Sequence, residues 1–278
     1  MRKIKIVGSL VGLLSLTLLG IAGCSSGDDN TQNDSNEIHV GMAPSPYSDM
    51  FSEGIEPILE EQGYTIEETD FEDLLQADIA LSEGEVDLNV DQHVAYLEDF
   101  NENNDSNLEK LITIPSAPTG IYGGRKDSLD DIEANDTVAI PDDASNTARG
   151  LLLLEDAEWI TLEDDIDPVS ATTSDIADNP YNLDIVEMDT YQIPRVLEDI
   201  DYGVISGAIL YSAGIDTSTS LLDEELLDEF EIIATVDGEN IDSDWAQAVT
   251  DAYQSEEFAE FLEDQDTDDY WYVPEDLQ

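Results

Sequence analysis

The chain has little of three kinds of residue that many protein functions require. It contains one cysteine among 278 residues, which excludes a disulfide bond within the chain. Its two histidines give little support to a zinc or manganese site. Only 8 Lys and Arg stand against 68 Asp and Glu, and the formal net charge is −60. Such a chain repels nucleic acids and anionic membrane surfaces, so we expect no nucleic-acid partner.

Sequence motifs of several enzyme classes are also absent. Neither G-x-x-x-x-G-K-[ST] nor G-x-G-x-x-G occurs, which argues against nucleotide binding. No G-x-S-x-G is present, so a serine triad that used His93 would lack its nucleophile turn. Asp264, Asp266 and Asp268 have part of a calcium-loop spacing, but Asp269 stands where that loop needs glycine. We therefore expect no catalytic residue, no cofactor and no bound metal.

The N-terminal segment is basic and then apolar. Arg2, Lys3 and Lys5 precede an apolar stretch over 6–19, and small residues then lead to Cys24. This order is typical of a secretory signal peptide, with the cysteine in the position of a bacterial lipobox. We predict a signal peptide over 1–23 and lipidation of Cys24, including palmitate; the alternative is an uncleaved transmembrane anchor. Either way, the chain is tethered to the cell membrane on its extracytoplasmic face.

The acidic residues are spread along the whole chain and are not gathered in one tail. After the predicted signal peptide only five basic residues remain: Lys110, Arg125, Lys126, Arg149 and Arg195. This pattern is typical of a halophilic protein, because concentrated salt screens the self-repulsion of the acidic chain. Residues 25–36 contain no apolar side chain, and we predict a flexible tether over 24–36.

Strand-like and helix-like patterns alternate from residue 37 onward. IHVGMAP, YTIEETDF and VDLNVDQ are typical of strands separated by helices, and the same rhythm begins again with TVAIP, NLDIVEM and YGVISGAI. The pattern predicts an α/β protein with two lobes, each a mostly parallel sheet flanked by helices. The strand EIIATV and two amphipathic helices then return to the first lobe. We assign 37–125 to lobe 1, 126–227 to lobe 2 and 228–278 to the returning segment.

Arg149 stands out from the acidic background. It lies in VAIPDDASNTARGLLLL, where a strand is followed by a helix with Ser145 and Asn146 as candidate caps. Free N–H groups at the helix start and a guanidinium in its first turn would bind one carboxylate. The alternative is that Arg149 pairs with one of the many neighbouring acids. Arg195 is followed by acids three and four residues on, and we interpret it as structural.

Several longer segments carry a resemblance to a known family. They are VGMAPSPYSDMF, ALSEGEVDLNVDQHVAYLEDFN, PTGIYGGRKDSLDD, TVAIPDDASNTARGLLLLEDA and IPRVLEDIDYGVISG, within a span from about Ile38 to Pro274. The chain resembles the NlpA-type methionine-binding lipoproteins, the substrate-binding components of bacterial ABC importers. The resemblance implies a bilobed, periplasmic-binding-protein-like fold whose lobes are joined by hinge strands. It also implies a ligand in the cleft and an ABC permease in the membrane as partner.

The resemblance further implies which residues contact the ligand. Arg149 would bind the ligand carboxylate, with Asn146 beside it. Four residues of lobe 1 would approach the ligand side chain: Tyr47, Asn89, His93 and Tyr96.

The chain departs from the family pattern at the other end of the pocket. Val90 and Asp91 stand where the family has two aromatic residues, and Ser206 and Ala208 replace asparagines that help to hold the ligand's amino group. Asp91 or Asp78 would compensate by pairing with the ligand's ammonium group, and the alternative is that both are exposed acids. We include Asp91 and Ser206 among the candidate ligand contacts.

Together these observations predict a lipid-anchored solute-binding protein without enzymatic activity. It would capture a small amino acid, methionine or a similar apolar one, by closing its lobes around it, and would deliver it to the permease. Another amino acid or a dipeptide in the same fold is the nearest alternative. From other classes, the alternatives are an acidic surface protein that sequesters cations and a hydrolase built on the same two lobes.

Overall fold

The computed structural model describes residues 36–265 and 271–277. The predicted signal peptide, Cys24 and all but the last residue of the predicted tether lie outside these residues. Within the described part of the chain, no helix is both long enough and apolar enough to cross a bilayer.

Strands and helices alternate along the described chain, as the sequence predicts. The strands are β1 (Glu37–Met42), β2 (Thr65–Asp70), β3 (Leu88–His93), β4 (Leu108–Thr113), β5 (Thr119–Gly123), β6 (Thr137–Pro141), β7 (Thr161–Leu162), β8 (Ile176–Asp178), β9 (Asp184–Met188), β10 (Tyr202–Ser206), β11 (Ser220–Asp223) and β12 (Ile232–Asp237). The α-helices are α1 (Pro46–Met50), α2 (Glu56–Glu61), α3 (Leu74–Ser82), α4 (Val94–Asn104), α5 (Ala144–Asp156), α6 (Ile193–Val196), α7 (Gly207–Ala213), α8 (Asp244–Tyr253) and α9 (Glu256–Gln265). A π-helical turn, Phe51–Ile55, joins α1 to α2.

The first sheet has five strands in the order β2-β1-β3-β12-β4. Every side chain of the central strand β3 is buried, because helices cover both faces of the sheet. Ile38, Val40 and Met42 of β1 pack into one core with the π-helical turn and α8. We call this sheet and the helices packed on it lobe 1.

The second sheet also has five strands, in the order β11-β5-β10-β6-β9. Its main core joins Val138 and Ile140 of β6 to Leu151 and Leu154 of α5. These leucines recur at helical spacing, so one face of α5 is held against the sheet. We call this sheet and its helices lobe 2.

The bilobed α/β fold is confirmed, but the sheets are mixed rather than mostly parallel. In each sheet two strand pairs are parallel and two are antiparallel. The antiparallel pairs involve β5 and β12, which are the strands that the chain enters after it crosses from the other lobe. The segment YGVISGAI is also shorter as a strand than predicted, because α7 begins at Gly207.

The chain crosses between the lobes twice, over 114–118 and over 224–231, and the two crossovers lie side by side. Ile114 N–H donates to Ile232 O at 2.8 Å, and Glu224 N–H donates to Thr119 O at 3.0 Å. The predicted lobe limits stay a prediction, although β5, which the sequence analysis assigns to lobe 1, lies in the second sheet. The paired crossovers form the hinge that a bilobed binding protein needs.

Candidate ligand-binding cleft

A cavity of about 260 Å³ lies between the lobes. It sits at the carboxyl ends of β1, β3, β6 and β10, where ligands bind in open α/β sheets. Lobe 1 and its crossover contribute Ala43, Pro44, Ser45, Tyr47, Asp73, Leu74, Leu75, Asp91, Gln92, His93, Tyr96 and Ala117. Lobe 2 contributes Asp142, Asp143, Asn146, Arg149, Asp189, Thr190, Tyr191, Ser206, Ala208 and Ile209, and Ile232 at the start of β12 in lobe 1 completes the wall.

Arg149 lies on α5 in the wall of this cavity, and its side chain is only 4% exposed. Its Nε donates to Oε2 of Glu224 at 2.7 Å, and its Nη2 donates to Oε1 of the same carboxylate. The guanidinium also lies over the ring of Phe230, 5.1 Å from the ring centre. Arg149 therefore pairs with a native acid, as the alternative interpretation expects, and it lines the cavity; its binding of a ligand carboxylate stays a prediction.

The start of α5 is capped by Asp143 and not by the predicted Ser145 or Asn146. The Asp143 backbone is extended, and its carboxylate accepts Asn146 N–H at 3.0 Å and Asn146 Nδ2–H at 2.9 Å. Burial raises the pKa of Asp143, although these hydrogen bonds lower it. Because its Nδ2 is held by Asp143, the amide of Asn146 turns Oδ1 toward lobe 1.

His93 of lobe 1 contacts Asn146 Oδ1 across the cleft. Its Nε2 lies 3.2 Å from Asn146 Oδ1, and its Nδ1 accepts Tyr96 N–H at 3.1 Å as the cap of α4. Burial, and then the charge of Arg149, lowers the pKa of His93 to about 3. The ring is therefore neutral, with its proton on Nε2 donated to Asn146.

Asp91 is buried, contrary to the alternative of an exposed acid. Its two carboxylate oxygens accept Ala43 N–H at 3.0 Å, Ser48 Oγ–H at 3.0 Å and the hydroxyl of Ser45. Burial raises the pKa of Asp91 to about 6 against the opposing effect of these bonds. The carboxylate thus fixes the loop after β1, and it borders the cavity without a basic partner in the described chain.

Asn89 does not line the cavity, and its contact with a ligand stays a prediction. Its side chain is fully buried, with Nδ2 donating to Gly41 O at 3.2 Å and Oδ1 accepting Asp91 N–H at 2.9 Å. Asn89 lies near the start of β3, whereas the cavity is at the carboxyl end of that strand, and the amide of Asn89 is used inside lobe 1. Asp78 is buried too, and it lies behind the cavity wall next to Gln92.

The remaining predicted contacts line the cavity. Tyr47 is held by its hydroxyl, which accepts Ala117 N–H at 3.0 Å on the first crossover. Tyr96 stands edge-on to His93 with ring centres 6.2 Å apart. Ser206 precedes α7 and makes no side-chain cap bond to that helix.

Two residues of this wall, Tyr191 and Ile232, were not among the predicted ligand contacts. Tyr191 lies in the segment YQIPRVLED and lines the cavity. Arg195 of the same segment is exposed and does not line the cavity. Ile232 lies at the start of β12 and appeared only as part of a returning strand. An aromatic residue just after the carboxyl end of β9 was the signal that would have identified Tyr191.

Known proteins share both the sequence pattern and the fold. The family model described as NlpA lipoprotein matches residues 38–273. The D-methionine-binding lipoprotein MetQ of Salmonella typhi is 32% identical over 257 residues, 91% of this chain and 91% of that protein. A nutrient binding protein from Burkholderia cenocepacia bound to methionine has a TM-score of 0.79 and 30% identity, covering 85% of this chain and 99% of that chain.

A second solved structure, an ABC transporter, periplasmic substrate-binding protein from Coxiella burnetii, has a TM-score of 0.79 and 27% identity. It covers 85% of this chain and 100% of that chain. The similarity therefore spans both lobes, the crossovers and the cavity between them. Because the family model covers nearly all of the described residues, the chain belongs to the NlpA lipoprotein family.

Proposed function

We propose that this protein is the solute-binding component of an ABC importer and that it captures a small amino acid, methionine or a similar apolar one. It binds the ligand in the cleft, closes and is recognised by a membrane permease; it makes and breaks no covalent bond. Relatives named as D-methionine-binding, and a neighbour solved with methionine bound, support this ligand class. A neighbour named as an ABC transporter component supports the permease partner.

The observation that carries the proposal is the guanidinium of Arg149 in the wall of a cavity between two hinged lobes. A free amino acid carries a carboxylate, and a buried guanidinium is the side chain that binds a carboxylate with two parallel hydrogen bonds. No other Lys or Arg lines the cavity among the described residues. In a chain so poor in basic residues, this one is placed where a ligand would be enclosed.

The size and walls of the cavity favour a single small amino acid over a dipeptide. Its volume of about 260 Å³ lies below the roughly 300–1,000 Å³ of pockets that hold drug-sized ligands. Leu74, Tyr96, Tyr191 and Ile232 give it apolar surface in its lining. An apolar side chain of moderate length would be removed from water there.

We further propose that the chain is exported and anchored by lipid at Cys24 on the extracytoplasmic side of the membrane, in a cell that lives in concentrated salt. The membership of a lipoprotein family supports the anchor. The formal net charge of −60 supports the saline setting. In that setting, contact with the permease depends on shape and short-range contacts more than on charge steering.

Isothermal titration of the mature protein in molar salt tests the proposal. We expect heat with methionine or another apolar amino acid, and weaker or no heat with dipeptides. Heat with calcium and none with any amino acid would instead indicate a cation-sequestering protein. Turnover of an amino-acid ester or peptide in the same solution would indicate a hydrolase.

The role of Arg149 is tested with a paired substitution. Arg149→Met alone would leave Glu224 buried without a cation, which costs about 3–5 kcal/mol of stability and confuses binding with unfolding. Arg149→Met combined with Glu224→Gln removes both charges. We expect this double variant to fold and to bind methionine at least about 30-fold more weakly. Arg125→Met is the matched control, because Arg125 pairs with Asp201 far from the cavity lining; equal affinity in the double variant would contradict the role of Arg149.

A further inference from the structure

Glu224 lies behind Arg149, on the second crossover, and does not itself line the ligand cavity. Its side chain is 7% exposed, and its Oε1 also accepts Thr119 N–H at 2.6 Å on the other side of the hinge. The Glu224 carboxylate belongs to the second crossover and is also bonded to the end of the first one, independently of its pairing with Arg149. A surface acid selected only for a saline habitat would not be buried and held in this way.

Glu224 occupies one edge of the Arg149 guanidinium and leaves the other edge without a hydrogen bond among the described residues. Arginine has five N–H groups in a fixed planar arrangement. Glu224 takes the edge formed by Nε and Nη2, whereas Nη1 has no hydrogen-bond partner among the described residues. The edge formed by Nη1 and the second Nη2 hydrogen therefore keeps two N–H donors of the kind that bind a carboxylate. The ring of Phe230 lies beside the guanidinium, with its centre 5.1 Å from the guanidinium carbon.

The same pair determines the charge that a ligand meets. Glu224 cancels the charge of Arg149, and His93, the histidine of the cavity wall, is neutral because burial lowers its pKa to about 3. Five carboxylates border the same cavity, those of Asp73, Asp91, Asp142, Asp143 and Asp189. A ligand with a lone carboxylate would therefore add negative charge to a site that already carries it. A zwitterion brings its own positive charge and adds none.

We propose that Glu224 is a specificity-determining residue: it restricts the cleft to carboxylates with an adjacent positive charge, the α-amino acid zwitterions, and excludes monoanionic carboxylic acids of the same shape. The inference rests on the proposed amino-acid ligand and adds the device that selects it. Specificity of this kind comes from repulsion of the wrong ligand as well as attraction of the right one. Glu224 supplies the repulsion while it positions the guanidinium for attraction.

The test compares methionine with its deaminated analogue, 4-(methylthio)butanoate, by titration in molar salt. The wild-type protein should bind methionine at least about 100-fold more tightly than the analogue. In Glu224→Gln this ratio should fall at least about tenfold, because loss of the acid favours the anion more than the zwitterion. Glu224→Asp keeps the charge and should keep the ratio, even where its shorter side chain weakens both ligands.

Glu225→Gln is the matched control, since it removes one negative charge from the adjacent, exposed residue that makes no bond to Arg149. Its ratio should equal that of the wild type. An equal loss of affinity for both ligands in Glu224→Gln would show a merely structural acid and overturn the inference. Should that variant not fold, the wild-type protein and Glu224→Asp decide together. Similar affinities of the wild type for methionine and the analogue refute selection, whereas the expected discrimination, retained in Glu224→Asp, upholds it. Absence of binding to any amino acid would instead defeat the proposed function.

Discussion

Asp78 and Gln92 form a buried pair whose hydrogen bonding depends on one proton. Gln92 Nε2 donates to Asp78 Oδ1 at 2.8 Å, while Asp78 Oδ2 and Gln92 Oε1 are both buried acceptors without a partner in the described structure. Burial, and then the charge of Asp91, raises the pKa of Asp78 well above its usual value. A proton on Oδ2 would be donated to Gln92 Oε1, and both orphan acceptors would be satisfied.

This pair predicts an unusual dependence of stability on pH. Because the folded-state pKa of Asp78 lies above the unfolded one, the folded state holds the proton more tightly. The contribution of Asp78 to the free energy of unfolding is fully present below about pH 4. It falls by about 1.4 kcal/mol per pH unit as the pH rises to the folded-state pKa. Asp91, with a pKa raised to about 6, adds a similar decline between about pH 4 and 6.

Asp78→Asn should flatten this decline, since asparagine is neutral and donates to Gln92 Oε1 at every pH. We expect the free energy of unfolding, measured with denaturant in molar salt from pH 4 to 8, to fall less steeply in the variant. Glu85→Gln, at an exposed position, is the control and should retain the wild-type slope. An identical slope in Asp78→Asn would show that Asp78 is ionised throughout this range.

At the residue scale, the sequence predicts which side chains line the cavity more successfully than it predicts the residues that pair with them. Arg149, Asn146, His93 and Tyr96 follow from the family pattern, and all of them line the cavity. The partner of Arg149 does not follow, because Glu224 is 75 residues further along the chain and meets it only when the second crossover closes the hinge. In a chain with 68 acids, no local pattern distinguishes that one.

At the scale of elements, α5 shows how a helix start presents a binding surface. Asp143 accepts both the backbone and the side-chain N–H of Asn146, so the cap that starts the helix also orients the amide that meets His93. Thr147 also joins the start of α5 to the end of β6, because its Oγ1 donates to Pro141 O at 2.8 Å. Arg149 lies in the second turn of α5, so its position also depends on the capped start of this helix.

Asp143→Ala should therefore weaken both the helix and the site. Loss of an N-cap costs about 0.5–2 kcal/mol of stability, and the released Asn146 amide should also weaken ligand binding. Asp143→Asn, which preserves a capping side chain, should lose much less stability. Denaturant unfolding and titration with methionine measure the two effects. A full loss of stability with unchanged affinity would mean that the orientation of Asn146 does not matter to the ligand.

At the scale of the whole molecule, local periodicity predicts the alternation of strands and helices and the division into two lobes. It does not predict that β5 and β12 enter their sheets antiparallel, because this depends on pairing with strands far away in the chain. The crossovers themselves have no periodic signal. The hinge is therefore visible only in the fold, although it contains Glu224 and Phe230, which hold the residue on which the site depends.

The lobes are also joined outside the cavity. Tyr211 of α7 donates to Asp49 Oδ2 of α1 at 2.5 Å, and the neighbouring Ser212 donates to Pro44 O. Tyr211 is half exposed and does not line the cavity. Because this contact joins the two lobes, we expect it to stabilise the closed form without touching a ligand.

Tyr211→Phe should consequently shift the protein toward the open form while leaving the cavity intact. One hydrogen bond contributes about 0.5–1.5 kcal/mol, so we expect the dissociation constant for methionine to rise by roughly 2–13-fold. The change should appear as faster dissociation, because an open protein still admits ligand at the same rate but retains it for less time. Stopped-flow tryptophan fluorescence in molar salt separates the two rates. Tyr181→Phe is the control, because Tyr181 is partly buried and packs against the core of lobe 2. A slower association with unchanged dissociation in Tyr211→Phe would mean that this contact guides ligand entry instead of holding the lobes closed.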